Sequence, residues 1–87
     1  MIVKAHRRFW ECYDRLQDTV RRHADKQYAL WRRNPFHPSL HFKIVKPDLW
    51  SVRVDANHRA LARSKGDLLV WFWIGTHDEY EQLLRWL

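Results

Sequence analysis

The segment Asn34-Pro35-Phe36-His37-Pro38-Ser39 constrains the fold more than any other stretch, because the hydrophobic period differs on its two sides. Upstream, Phe9, Tyr13, Leu16 and Val20 recur at helical spacing, and His23/Ala24, Gln27 and Trp31 continue the stripe. Asn34 ends that pattern, since the residue before a proline is pushed out of the α region, and Pro38 extends the break. Downstream, runs rich in Val, Ile, Phe and Trp read as strands. A chain that is helical before the prolines and strand-forming after them is expected to be α+β, with helices packed on one sheet.

Before the break, the spacing predicts a helix over about residues 5–16 and a second over about 18–33, with Asp18 as N-cap. Arg7, Arg8, Arg15, Arg21, Arg22, Lys26, Arg32 and Arg33 fall on the opposite face. After it, Leu40–Lys46, Leu49–Asp55, His58–Ser64 and Asp67–Ile74 are the strand candidates. Pro47-Asp48, Ala56-Asn57 and Lys65-Gly66 separate them, each short enough for a hairpin. The expected architecture is an N-terminal helical hairpin on a four-stranded antiparallel sheet, with room for a short extra N-terminal strand. Thr76 can cap a short C-terminal helix, with acids in its first turn and an apolar stripe of Tyr80, Leu83, Leu84 and Leu87. Trp50, Val52 and Val54 share one face of their strand and leave Ser51, Arg53 and Asp55 on the other. Asp67–Ile74 is apolar on both faces, as suits a strand covered on both sides. The six tryptophans, Trp10, Trp31, Trp50, Trp71, Trp73 and Trp86, read mostly as core.

Composition narrows the function classes. At 87 residues the chain reads as one domain, residues 1–87. No apolar run is long enough to span a membrane, and Met1-Ile2-Val3-Lys4 lacks the apolar core of a secretory signal. The single Cys12 forms no internal disulfide and no cysteine-based zinc site, so a reducing cytoplasm is the simplest home. The net charge of +6 is uneven: residues 1–46 hold eleven basic and four acidic side chains, residues 47–87 five and six. A basic half suggests a nucleic-acid surface, an acidic protein partner, or simply a solvated helix face.

Gly66 and Gly75 cannot build a phosphate-cradling loop, and Ser39, Ser51 and Ser64 lack a nucleophile elbow. His37 and His41 flank Pro38 and do not share a helix face, which argues against zinc. What remains is a group of basic and histidine side chains in the strand-rich half: Lys43, Arg53, Arg59, Arg63 and His77, with Tyr80 nearby. Metal-free RNA cleavage needs such groups, to move protons at the 2′-OH and 5′-oxygen and to stabilise the pentacoordinate phosphate. Each has a plainer reading. Arg53 can pair with Asp55, Arg59 can be a solvated turn residue, His77 can cap the strand–helix junction, and Tyr80 can be core.

The segments Asn34-Pro35-Phe36-His37-Pro38-Ser39-Leu40, Leu49-Trp50-Ser51-Val52-Arg53-Val54, Asn57-His58-Arg59-Ala60-Leu61 and Trp73-Ile74-Gly75-Thr76-His77-Asp78-Glu79-Tyr80 resemble the RelE/ParE superfamily of bacterial type II toxins, over residues 5–86. The most specific pieces are the Arg53 and Arg59 pair across a hairpin and the strand-end Ile74-Gly75-Thr76-His77. The resemblance implies a toxin neutralised by a cognate antitoxin. In the RelE-like branch it also implies entry into the ribosomal A site and cleavage of mRNA, an endoribonuclease activity that uses no metal or cofactor. By position, Arg59 would stabilise the phosphorane, and His77 would be the general acid or the base. Arg53 and Lys43 would hold phosphate, and Tyr80 matches an aromatic near the C-terminus. Arg63 joins the RNA-binding cations. His41 and His58 are candidates for a general base that the family pattern does not supply. The ParE-like branch shares the fold and poisons DNA gyrase instead, and an inactive member would serve only as an interaction module; the strand-end histidine favours the ribonuclease branch.

Overall fold

In the computed structural model, which describes residues 1–87, the chain opens with a strand, β1 (Ile2–Ala5). The His6 imidazole then caps α1 (Arg7–Asp14), accepting from the Arg8 N–H at 3.0 Å. Arg21 reaches back from α2 (Asp18–Arg33) and donates to the carbonyls of Leu16 and Asp14, stitching the end of one helix to the start of the next. Asp18 is the first residue of α2 and not its cap. Gln17 holds that position without a side-chain hydrogen bond, and the Asp18 carboxylate pairs with Arg21 instead of capping. At Asn34 the N–H bonds the Leu30 carbonyl and the helix stops before Pro35.

The strand expected from Leu40 begins three residues later. His37 accepts from the Ser39 N–H at 3.2 Å and caps a 3-10 turn over Pro38–Leu40, whose Leu40 is fully buried. His41 then reverses the chain in the left-handed region, at φ 46°, and folds Phe42 onto Trp50 with ring centroids 4.5 Å apart. β2 therefore runs over Lys43–Lys46. β3 (Leu49–Asp55), β4 (His58–Lys65), β5 (Leu68–Thr76) and α3 (His77–Trp86) follow in order.

The sheet order is β1-β5-β4-β3-β2, with β1 parallel to β5 and the remaining pairs antiparallel. The antiparallel meander is present as β2 to β5. The extra N-terminal strand makes the sheet five-stranded and mixed. On one face α1 and α2 bury Val52, Val54, Ala60, Ala62, Leu69, Trp71 and Ile74 against Val20, Trp31 and Leu40. On the other face α3 lies over a smaller cluster of Leu49, Leu61 and Tyr80, with Phe72 and Trp73 beside it. A register shift opposite Leu61 and Ala62 inserts Phe72 into β5, so two consecutive aromatics serve that second cluster. β5 thus has helices on both faces, as its composition requires. Of the tryptophans only Trp31 and Trp71 are fully buried, while Trp10 and Trp86 are 50% and 87% exposed. No helix is long and apolar enough to cross a membrane.

Candidate functional site

α3 covers only the Leu49–Leu61 end of its sheet face, which leaves the hairpin end open. There the alternation of β3 puts Ser51 and Arg53 on the same face as Leu49, and the register sets Arg53 directly opposite Arg59, with Lys43 opposite Ser51 and Arg59 opposite Gly75. His41, Lys43, Ser51, Arg53, Arg59, His77, Tyr80 and Glu81 line one cleft of about 160 Å³. Five of the six site residues expected from the sequence meet in it. Arg63 does not: it lies at the other end of the face, opposite Leu49, with its guanidinium 5.6 Å from the centre of the Phe72 ring.

Two cations facing one another across a hairpin repel, and neither is held in an ion pair. Lys43, Arg53 and Arg59 have no carboxylate within 4 Å. The pairing of Arg53 with Asp55 that would explain it as a structural residue is not made. Asp55 instead accepts from His23 Nδ1 and His58 Nδ1, each at 2.9 Å, and from the Asn57 N–H at 2.8 Å. Burial acts to raise the Asp55 pKa, but those three hydrogen bonds outweigh it and hold the carboxyl at about 2. An ionised carboxylate only accepts, so both imidazoles carry their proton on Nδ1 toward Asp55. This removes His58 from the cleft.

The same clasp fixes the arginines from behind. Gln27 of α2 donates to the Arg53 carbonyl at 3.0 Å. Arg59 Nη1 donates to the carbonyls of Asp55 and His58 at 2.8 and 2.9 Å, which orients its guanidinium beside the turn. His77 is not needed as a cap, because Thr76 and Glu79 form a reciprocal capping box at the start of α3. Its ring lies 5.8 Å from that of Tyr80, and its Nε2 is 3.5 Å from Glu81 Oε1. Tyr80 walls the cleft from within the core at 7% exposure, which suits it to shape the site more than to stack on a base. Ser51 and Glu81 join the site without a role expected from the sequence, and His41, one of the two general-base candidates, lines the cleft while His58 does not. Ser51 was legible in principle as the small polar residue between Leu49 and Arg53 on the site face; Glu81 follows His77 by one helical turn.

The His37 ring is engaged by Ser39, and no group of three His, Cys, Asp or Glu side chains is arranged to hold a metal ion. A second, larger cleft of about 320 Å³ lies between α1, α2 and β1, lined by Phe9, Trp10, Tyr13, Tyr28 and Trp31 among others. At its edge Tyr13 donates to Asp25 at 2.8 Å, and that hydrogen bond, helped by burial, raises the phenol pKa.

No curated protein sequence matches the chain. Among solved structures it is similar to a YoeB/ParE toxin from Agrobacterium tumefaciens, with 21% identity over 88% of this chain and 99% of that one and a TM-score of 0.68. It is also similar to a chain of the RelB-RelE antitoxin-toxin complex of Methanococcus jannaschii, with 10% identity, coverage of 95% and 98% and a TM-score of 0.70. YafQ from Escherichia coli matches with 13% identity, coverage of 90% and 94% and a TM-score of 0.68. These likenesses establish the fold. The family model of the ParE-like toxin domain matches residues 18–82, from the start of α2 into α3, and so spans the cleft and both elements that hold it; the chain belongs to that family, within the RelE/ParE superfamily of toxins.

Proposed function

We propose that this chain is the toxin of a type II toxin–antitoxin pair and cuts mRNA on the ribosome without a metal. The observation that carries the reading is the convergence of Lys43, Arg53 and Arg59, none of them in an ion pair, at the open end of a sheet face with His77 at its edge. A role as ion-pair partners would have set carboxylates against them. An anionic ligand relieves their repulsion, and a phosphate that becomes more negative during reaction relieves it further, which is transition-state stabilisation by preorganised charge. In this scheme Arg59 and Arg53 hold the non-bridging oxygens, Lys43 holds a neighbouring phosphate, and His77 protonates the 5′-oxygen as it leaves.

The protein partner in this reading is a cognate antitoxin, as the Methanococcus jannaschii relative is part of an antitoxin-toxin complex. An acidic, amphipathic segment suits the arginine-bearing surface of α1 and α2 and the apolar cleft beside it. Expression without antitoxin should arrest growth, with new mRNA 5′ ends, and His77→Ala and Arg59→Ala should abolish both effects. If those variants arrest growth as well as the parent, the nuclease reading is wrong. Equal cutting of naked and ribosome-bound RNA in EDTA would remove the ribosome from it. The family description also admits a gyrase inhibitor; loss of supercoiling activity with intact mRNA would establish that reading instead.

A further inference from the structure

We infer that His41 is the general base of this site, taking the proton from the attacking 2′-OH while His77 supplies one to the leaving 5′-oxygen. The assignment rests on the ribonuclease reading above and adds the group that reading leaves open.

The six histidines separate cleanly by what their rings touch. His6 Nδ1 accepts from the Arg8 N–H, and His37 Nδ1 from Ser39. His23 and His58 each give Nδ1–H to Asp55. His77 Nε2 lies beside Glu81. His41 alone has a ring with no protein partner, and it is one of the two histidines that line the cationic cleft. Its backbone sits in the left-handed region at φ 46°, between the 3-10 turn and β2, a conformation that histidine adopts more readily than most side chains. That turn leaves His41 exposed among the residues that line the cleft.

The charges around the two rings assign their roles. His77 has the one carboxylate of the cleft, Glu81, as a counter-charge for its protonated form. The other charged groups lining the cleft are Lys43 from β2, Arg53 from β3 and Arg59 from β4, all cations, and the remaining titratable group is the Tyr80 phenol. The acid role therefore falls to His77, beside that carboxylate, and the base role to His41, whose ring has no protein partner. In the reaction the 2′-O–H proton passes to His41, the 2′-oxygen bonds to phosphorus, the P–O5′ bond breaks, and the His77 proton goes to the 5′-oxygen. The products are a 2′,3′-cyclic phosphate and a 5′-hydroxyl, and each ring exchanges its proton with water before the next cycle.

The test uses ribosome-bound mRNA carrying either an ordinary linkage or a 5′-bridging phosphorothiolate at the cleaved position, whose thiolate leaves without a proton. His41→Asn keeps a residue tolerant of positive φ and removes the base; His41→Gly does the same and opens space for free imidazole. With the ordinary linkage, both His41 variants and His77→Ala should cleave about 100-fold or more slowly than the parent, the range of acid–base contributions. With the thiolate linkage His77→Ala should recover to near the parent rate, and the His41 variants should not. Added imidazole should restore His41→Gly, and binding of a 2′-deoxy strand should be unchanged in both His41 variants. Parent-like cleavage by His41→Asn overturns the assignment and leaves the ribonuclease reading standing, as does thiolate rescue of His41→Asn, or a 2′-deoxy strand bound weakly enough to explain the slow cleavage. A parent protein that cleaves neither substrate overturns the ribonuclease reading itself.

Discussion

Replacing Gly75 with alanine tests how closely α3 is docked at the cleft. Gly75 lies opposite Arg59, one residue before the capping Thr76, and its φ is not in the left-handed region, so conformational freedom is not what keeps it a glycine. A Cβ built there would stand 2.5 Å from Trp73 Cζ2 and 2.8 Å from Glu79 Oε1. The first contact requires a buried-side indole to shift within the cluster under α3. The second strikes the carboxylate that closes the capping box. Overpacking costs about 1–3 kcal/mol, and loss of a cap about 1 kcal/mol more. The sum, roughly 2–4 kcal/mol, is a large share of the stability of a domain this size and should lower Tm by about 10–25 °C. Thermal and urea unfolding followed by circular dichroism would read it. Glu79→Ala separates the two contributions: in that background the cap is already gone, so Gly75→Ala should cost about 1 kcal/mol less than in the parent. An unchanged Tm for Gly75→Ala, or costs that simply add, would refute the close approach of strand end and cap.

Four other outcomes follow from the same geometry. Asp55→Asn should cost about 2 kcal/mol at pH 6, because the folded pKa of about 2 lies below the ordinary 3.8. The sign fixes the window: this stability is complete above about pH 4 and is lost as pH falls through about 2, so urea midpoints of parent and variant should converge on acidification. Gly66→Ala should cost about 1 kcal/mol by a different route from Gly75, since Gly66 holds φ +57° in the β4–β5 turn with open space around it; urea midpoints should shift accordingly, and Gly66→Asn should recover part of the loss. Lys43→Gln should lower the slope of log affinity against log salt for single-stranded RNA by about 0.7, and Arg63→Gln should leave both cleavage and the hairpin-end contacts unchanged.

Wherever structure follows from hydrophobic period and chain breaks, it is legible. α2 occupies residues 18–33 and β3 residues 49–55, as the periodicity predicts, because a proline ends the first and short turns bound the second. The errors fall where a particular side-chain contact overrides the local pattern, even at short range. Asp18 looks like a cap until Arg21 takes its carboxylate, and Leu40 looks like a strand residue until His37 and His41 turn the chain around it. β1 has no readable period of its own: it is four residues long, mostly exposed, and its partner strand is β5, near the other end of the chain.

The site divides along the same line, and the division explains its architecture. Arg53, Arg59 and Lys43 could be placed on one face from alternation alone, yet alternation also makes them mutually repulsive, so it cannot explain why that face holds together. The answer lies behind the sheet. His23 and Gln27, one helical turn apart on α2, reach the β3–β4 turn at Asp55 and at the Arg53 carbonyl, and Asp55 gathers His58 from the next strand. The turn that brings the arginines together is thus fastened to a helix by groups that are 26 and 32 positions away in sequence. Asp55 has to be withheld from Arg53 for this to work: were it an ion-pair partner, it would neutralise the cleft and release the turn. A carboxylate shared by two histidines on one side is what leaves two arginines without a counterion on the other.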